Sequence, residues 1–157
     1  MNPHIQDNQI IWIVVAHRSE ARIYESQLYD KSLTSVESLQ NSMGRLKNTE
    51  FDSDGPGHTK DRFGPGKHAM EPKHDSVSQN QWNFAKEIAQ TIDAGRVDHK
   101  YDRLILVAGS ELLGDIRKNL TDHSMRLILA SHPKNLFGAE NQDQSKFEAA
   151  LKELVAL

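Results

Sequence analysis

Between Asp52 and His74 the chain gathers the side chains best suited to hold an anion: His58, Lys60, Arg62, Lys67, His68, Lys73 and His74. Two near-repeats, Gly55-Pro56-Gly57-His58 and Gly64-Pro65-Gly66-Lys67, each end on one of these groups. Glycine lets backbone approach a ligand closely, and lysine and arginine neutralise phosphates, so a nucleic-acid or ribosome contact is the chemistry this pattern suits. Asp52, Asp54, Asp61 and Glu71 offset the cations, leaving a stretch of mixed charge rather than a basic patch. A solvated loop with no ligand of its own accounts for the same composition. The histidines could also serve as metal ligands or acid–base groups. Their spacing, with nine and then five residues between His58, His68 and His74, matches no ligand motif.

Ser110 follows Gly109 at a strand-to-helix turn, the place of a nucleophile elbow. That motif is G-x-S-x-G, whereas Val107-Ala108-Gly109-Ser110-Glu111 has glycine directly before the serine, which favours a helix cap. No dinucleotide or nucleoside-triphosphate fingerprint follows any apolar run. Trp12, Trp82 and Phe147 fall on expected core faces and read as packing, not as a base-stacking platform. No catalytic constellation, metal site or cofactor site is recognisable, so the residues favour a binding module over an enzyme.

The elements that position these groups follow from periodicity. Ile10–Ala16 is an unbroken apolar run and predicts a central strand; Ala21–Ser26 returns as a second, and Ser32–Leu39 alternates as a third. Short connections make these three an antiparallel meander. From about 40 to 76 apolar residues lose any period, while Gly44, Gly55, Gly57, Gly64 and Gly66 join Pro56, Pro65 and Pro72, which predicts a long exposed, mobile loop. Ser78–Ala94 has a helical stripe of Trp82, Ala85, Ile88, Ala89 and Ile92, with Ser78 and Gln81 as a capping pair and Gly95 as the stop. Leu104–Val107 predicts a strand buried on both faces, feeding a helix with Leu113, Ile116 and Leu120 on one side. Met125–Ala130 predicts the last strand, broken by His132-Pro133, and Phe147 to Val155 a C-terminal amphipathic helix. The fold class is therefore α/β: a single-domain mixed β-sheet of about five strands flanked by about three helices.

At 157 residues the chain is long enough for one domain with its own core. Its formal net charge of -3 exerts no global pull on nucleic acid or anionic membrane. Having no cysteine, it forms no disulfide and no thiolate metal site. The start MNPHIQDNQ carries no Lys or Arg, and the apolar run after it is far short of the roughly 20 residues of a membrane span. These features predict a cytoplasmic protein without a span.

Four blocks resemble a known family: Trp12–Glu25 (WIVVAHRSEARIYE), FDSDGPGH at 51–58 with GKHAMEP at 66–72, NFAKEIA at 83–89, and Tyr101–Leu120 (YDRLILVAGSELLGDIRKNL). Over about Trp12 to Val155 the chain resembles the bacterial host-attachment proteins, described as required for attachment to host cells. That family usually carries an Asp-Arg-Pro-Gly-Arg type of loop. Here Asp54, Pro56 and Gly57 match, and Gly55 and His58 stand where it has arginines. After His132 the chain reads Asn135-Leu136-Phe137 in place of the family's Asp-Leu-Thr type of segment. The family is in turn similar to the middle domain of archaeal and eukaryotic class-1 release factors and of Pelota, which implies a ribonuclease-H-like or ribosomal-protein-like α/β sheet. Release factors carry a Gly-Gly-Gln loop for peptidyl-tRNA hydrolysis. This sequence has no Gly-Gly-Gln, so the resemblance implies a ribosome or tRNA contact without that activity. A protein partner, with the chain exported to promote attachment, is the alternative, and a hydrolase using the loop histidines a further one.

Overall fold

A computed structural model of the chain describes residues 8–27, 32–45 and 76–156. Its centre is one mixed sheet of five strands in the order β3-β2-β1-β4-β5. β1 (Ile10–His17), β2 (Glu20–Gln27) and β3 (Thr34–Gln40) form the antiparallel meander. β4 (Arg103–Ala108) runs parallel to β1, and β5 (Ile128–Pro133) parallel to β4. Among the described residues four helices accompany them: α1 (Ser76–Val97), α2 (Ser110–Asn119), the one-turn α3 (Asp122–Met125) and α4 (Gln144–Val155).

Period-two alternation divides the core into two layers. Trp12, Val14, Ala16, Leu104, Leu106 and Ala108 face α1 and α2. Ile11, Ile13, Val15, Ile105 and Val107 face the opposite side, where Leu136 and, on α4, Phe147 and Leu151 cover them. Both central strands are thus sandwiched, which explains their continuous apolar sequence. Each fully buried aliphatic or aromatic side chain contributes about 1.5–3 kcal/mol. At the entrance to the two strands Asp102 accepts a hydrogen bond from Ile10 N at 2.8 Å, and Asp102 N donates to the Ile10 carbonyl at 2.8 Å.

Several details depart from the periodicity reading. Gly95 does not stop α1; it lies inside the helix, where a Cβ would stand 2.5 Å from Cη2 of Trp12. The indole needs the space, and its ring is held by packing, stacked on Tyr101 at 4.7 Å with no partner for Nε1 among the described residues. The helix ends instead at Val97, and His99, with a φ of 56°, turns the chain while Lys100 N donates to the Gly95 carbonyl at 2.9 Å. Ser78 lies within α1 rather than capping it, and Phe84 takes the buried place expected of Trp82. The last strand begins at Ile128, not Met125, because Thr121 caps a helical turn over Asp122–Met125; its His132-Pro133 end pairs with β4. Tyr24 on β2 is buried on the α4 side. Of the loop expected at 40–76, Ser42–Arg45 forms a 3-10 turn, and residues 46–75 lie outside the described residues.

Candidate functional site

Parallel pairing of β1 with β4 sets the C-terminal ends of both strands side by side, the edge where α/β sheets commonly bind ligands. β1 leaves this edge through the tight turn Arg18-Ser19 into β2, and β4 leaves it through Gly109 into α2. Between them opens a hollow of about 380 Å³, lined by His17, Arg18, Gln81, Gly109, Ser110, Glu111, Leu112 and Asn135. Gly109 occupies the N-cap position of α2 and offers no side-chain cap, so Ser110 is the first helical residue rather than the cap expected of it. The leading N–H groups of α2 therefore have no side-chain acceptor at the cap. Arg18 is exposed, Glu111 adds an exposed carboxylate on the opposite wall, and Asn135 is held by accepting a hydrogen bond from Phe137 N at 2.8 Å.

The Arg18 turn is fastened from the side of residues 41–45. Asn41 Nδ2 donates to the Arg18 carbonyl at 2.8 Å and Asn41 N donates to the Ser19 carbonyl at 2.8 Å. Gly44 lies against the Arg18 carbonyl so closely that a Cβ would meet it at 1.8 Å, which requires glycine there. Asn41 also donates to Asn80 Oδ1 at 2.9 Å, so the first turns of α1 meet the same corner. Gln81 is held in turn by donating to Asp115 at 3.2 Å. Gly44 and Asn80, close in sequence to the described residues that bound the segment 46–75, thus meet at this corner of the hollow.

A second hollow of about 200 Å³ shares His17 and is lined further by Glu20, Arg22, Phe137, Gly138, Asn141, Gln142 and Phe147. The His17 ring stacks on Phe137 at 4.1 Å and 10°. Arg22 lies over Phe147 at 4.5 Å and over Phe137 at 5.1 Å, paired with Glu20 at 3.1 Å and donating to Gln144 at 3.3 Å. Burial pulls its pKa down, but hydrogen bonding and charge from Glu20, with a smaller share from Tyr24, hold it above the ordinary guanidinium value. This cluster ties the segment after β5, and α4 behind it, to β2. Its groups are engaged with one another, so it reads as structural.

His58, Lys60, Arg62, Lys67, His68 and Lys73, the candidates for nucleic-acid or anion binding, all lie outside the described residues. The groups that sequence reading missed are His17, Arg18, Gln81 and Asn135. His17, Arg18 and Asn135 come from the polar ends of strands and the connections after them, Gln81 from the second turn of α1, and only long-range packing brings them together. Among the described residues no group of three or more histidines and carboxylates converges as a metal site would require, and no helix is long and apolar enough to cross a membrane.

Comparison with known proteins adds a family. No functionally curated protein matches the chain. Two solved structures align with 96% of it: one described as an archaeal protein, at 14% identity and a TM-score of 0.44, and an archaeal translation termination factor, aRF1, at 11% identity and a TM-score of 0.45. In each case the chain spans only 40% of the other's length. A family model described as "protein required for attachment to host cells" matches residues 12–146, most of the sequence and all of the sheet but the first two residues of β1. The chain belongs to this family of proteins required for attachment to host cells.

Proposed function

We propose that the chain is a non-enzymatic binding module that engages RNA, as on a ribosome or tRNA, and that its part in host attachment follows indirectly from this contact. On this reading the ligand phosphates are held by His58, Lys60, Arg62, Lys67, His68 and Lys73, with Arg18 contributing from the β1–β2 turn. The observation that carries it is the convergence at one corner of the fold. Gly44 packs on the carbonyl of Arg18, and Asn80 bonds the Asn41 that fastens the same turn. Residues close in sequence to both described ends of the cation-bearing segment thus meet at the wall of a hollow with an exposed arginine and an uncapped helix start. The module works in the cytoplasm, and residues 1–157 act as one domain.

Co-sedimentation of the tagged protein with ribosomes of its own host, at low and high salt, tests this. Counterion release predicts binding that falls with salt, with a log–log slope reduced by roughly 0.7–0.9 for each phosphate contact removed. Changing Lys60, Arg62 and Lys67 together to Ala therefore reduces the slope by about 2–3 if all three touch phosphate. Binding that ignores salt, or a triple variant that sediments like wild type, refutes the assignment. The family description itself favours a second reading, an exported factor acting at the surface. Fractionation finding the protein outside the cytoplasm would decide for that one.

A further inference from the structure

β3 is an edge strand, and every one of its residues except Leu39 is exposed. Nothing among the described residues pairs with its outer rim. Edge strands are templates for association, and proteins blunt them with lysine, proline, covering elements or bulges. β3 reads Thr-Ser-Val-Glu-Ser-Leu-Gln, without lysine or proline and with one charge, Glu37. Val36, at 41% exposure, is among the most exposed large apolar side chains of the fold.

The surrounding heptapeptide, Leu33-Thr34-Ser35-Val36-Glu37-Ser38-Leu39, is close to a palindrome about Val36. Two straight copies set antiparallel on a two-fold axis at Val36 would bring Leu33 opposite Leu39, Thr34 opposite Ser38, and Ser35 opposite Glu37. Such a contact is isologous and closes as a dimer with one continuous sheet. Regular alternation puts Leu33, Ser35, Glu37 and Leu39 on one face, as this pairing requires.

The strand is not straight. Tyr24 pairs with Ser35 and its neighbour Ile23 pairs with Glu37, so Val36 is an extra residue, a β-bulge. Ile23 belongs to the core under α1 and α2, and Tyr24 to the core under α4. Leu39 accordingly packs on the first side and Leu33 on the second. In a self-paired sheet each facing couple would then come from opposite faces, and the symmetric ladder cannot form. We propose that the Val36 bulge is a guard against self-association, placed at the one point where it spoils the self-complementarity of β3.

Deletion of Val36 tests this, because it leaves every observed β2–β3 pair in register while making the outer rim regular. Sedimentation should show the wild type at its monomer mass of 17.8 kDa and the deletion variant moving toward a doubled mass as concentration rises. Adding Ser38→Lys to the deletion should restore the monomer by charging the edge. A deletion variant with a native circular-dichroism spectrum that stays monomeric overturns the proposal. If the deletion prevents folding, hydrogen exchange on the wild type decides. Outer-rim amides of β3 should exchange equally at dilute and millimolar concentration, and protection that grows with concentration overturns the guard role.

Discussion

Replacing Gly95 by alanine puts a methyl carbon 2.5 Å from Cη2 and 2.6 Å from Cζ3 of Trp12. Carbon atoms rest at about 3.5–4.0 Å, so the ring or the helix must shift by about 1 Å. The ring cannot yield easily. It is 2% exposed and stacked against Tyr101, whose hydroxyl donates to the Ile92 carbonyl of α1 at 2.8 Å. Overpacking of this kind costs about 1–3 kcal/mol, and the better helix propensity of alanine returns about 1 kcal/mol. The expected net loss is about 1 kcal/mol. Gly114, inside α2, is the control: a Cβ there meets nothing within 4 Å, so Gly114→Ala should stabilise by about 0.5–1 kcal/mol. Urea unfolding followed by far-ultraviolet circular dichroism separates the two, because identical substitutions move the midpoint in opposite directions at an unchanged slope. In a Trp12→Phe background the smaller ring should lessen the penalty at Gly95, the sign of direct coupling. A Gly95→Ala variant as stable as wild type, or stabilised like Gly114→Ala, would refute the reasoning.

Other perturbations probe the rest of the fold. Leu151→Ala, removing a fully buried side chain from the α4 layer, should destabilise by about 2–5 kcal/mol in the same unfolding assay. Asp93 accepts hydrogen bonds from Thr121 at 3.0 Å and from the fully buried Ser124, so Asp93→Ala should cost about 1–3 kcal/mol and loosen α3, seen as faster amide exchange at Ser124 and Met125. Burial raises the pKa of the Tyr101 hydroxyl above the ordinary value of about 10. Its contribution is therefore complete below pH 10 and is lost as pH climbs through the raised value, so wild type should lose stability in alkali more steeply than Tyr101→Phe. His99→Gly should stabilise by about 0.5–1 kcal/mol in thermal unfolding, since glycine adopts the left-handed turn without strain.

β1 and β4 were legible because burial on both faces leaves an unbroken apolar run, a signal that needs no tertiary information. Gly95 misled because a helix stop and a close packing contact look the same in one dimension, and the contact is with Trp12, far away in sequence. The run Met125–Ala130 concealed a helical turn, for Met125 and Leu127 pack against the same core from outside the strand. Trp82 fell out of the buried stripe by a small phase error, with Phe84 on the inside. The cationic residues 58–73 were conspicuous by composition. The hollow beside their segment was not, since His17-Arg18 and Gly109-Ser110 become neighbours only through the parallel β1–β4 ladder. Their adjacency is non-local, and no periodicity announces it.

That ladder also governs how the chain folds. The meander closes through local turns, whereas Ile10 and Asp102, which clamp the start of β1 to that of β4, are 92 residues apart. Contacts of such separation slow folding, so β1 should wait, paired on one side only, until α1 and β4 arrive. The entropy lost in closing that distance grows only with the logarithm of its length, and doubling a loop adds about 0.6 kcal/mol. The number of residues between Ile10 and Asp102 is therefore a small term in the stability of the sheet.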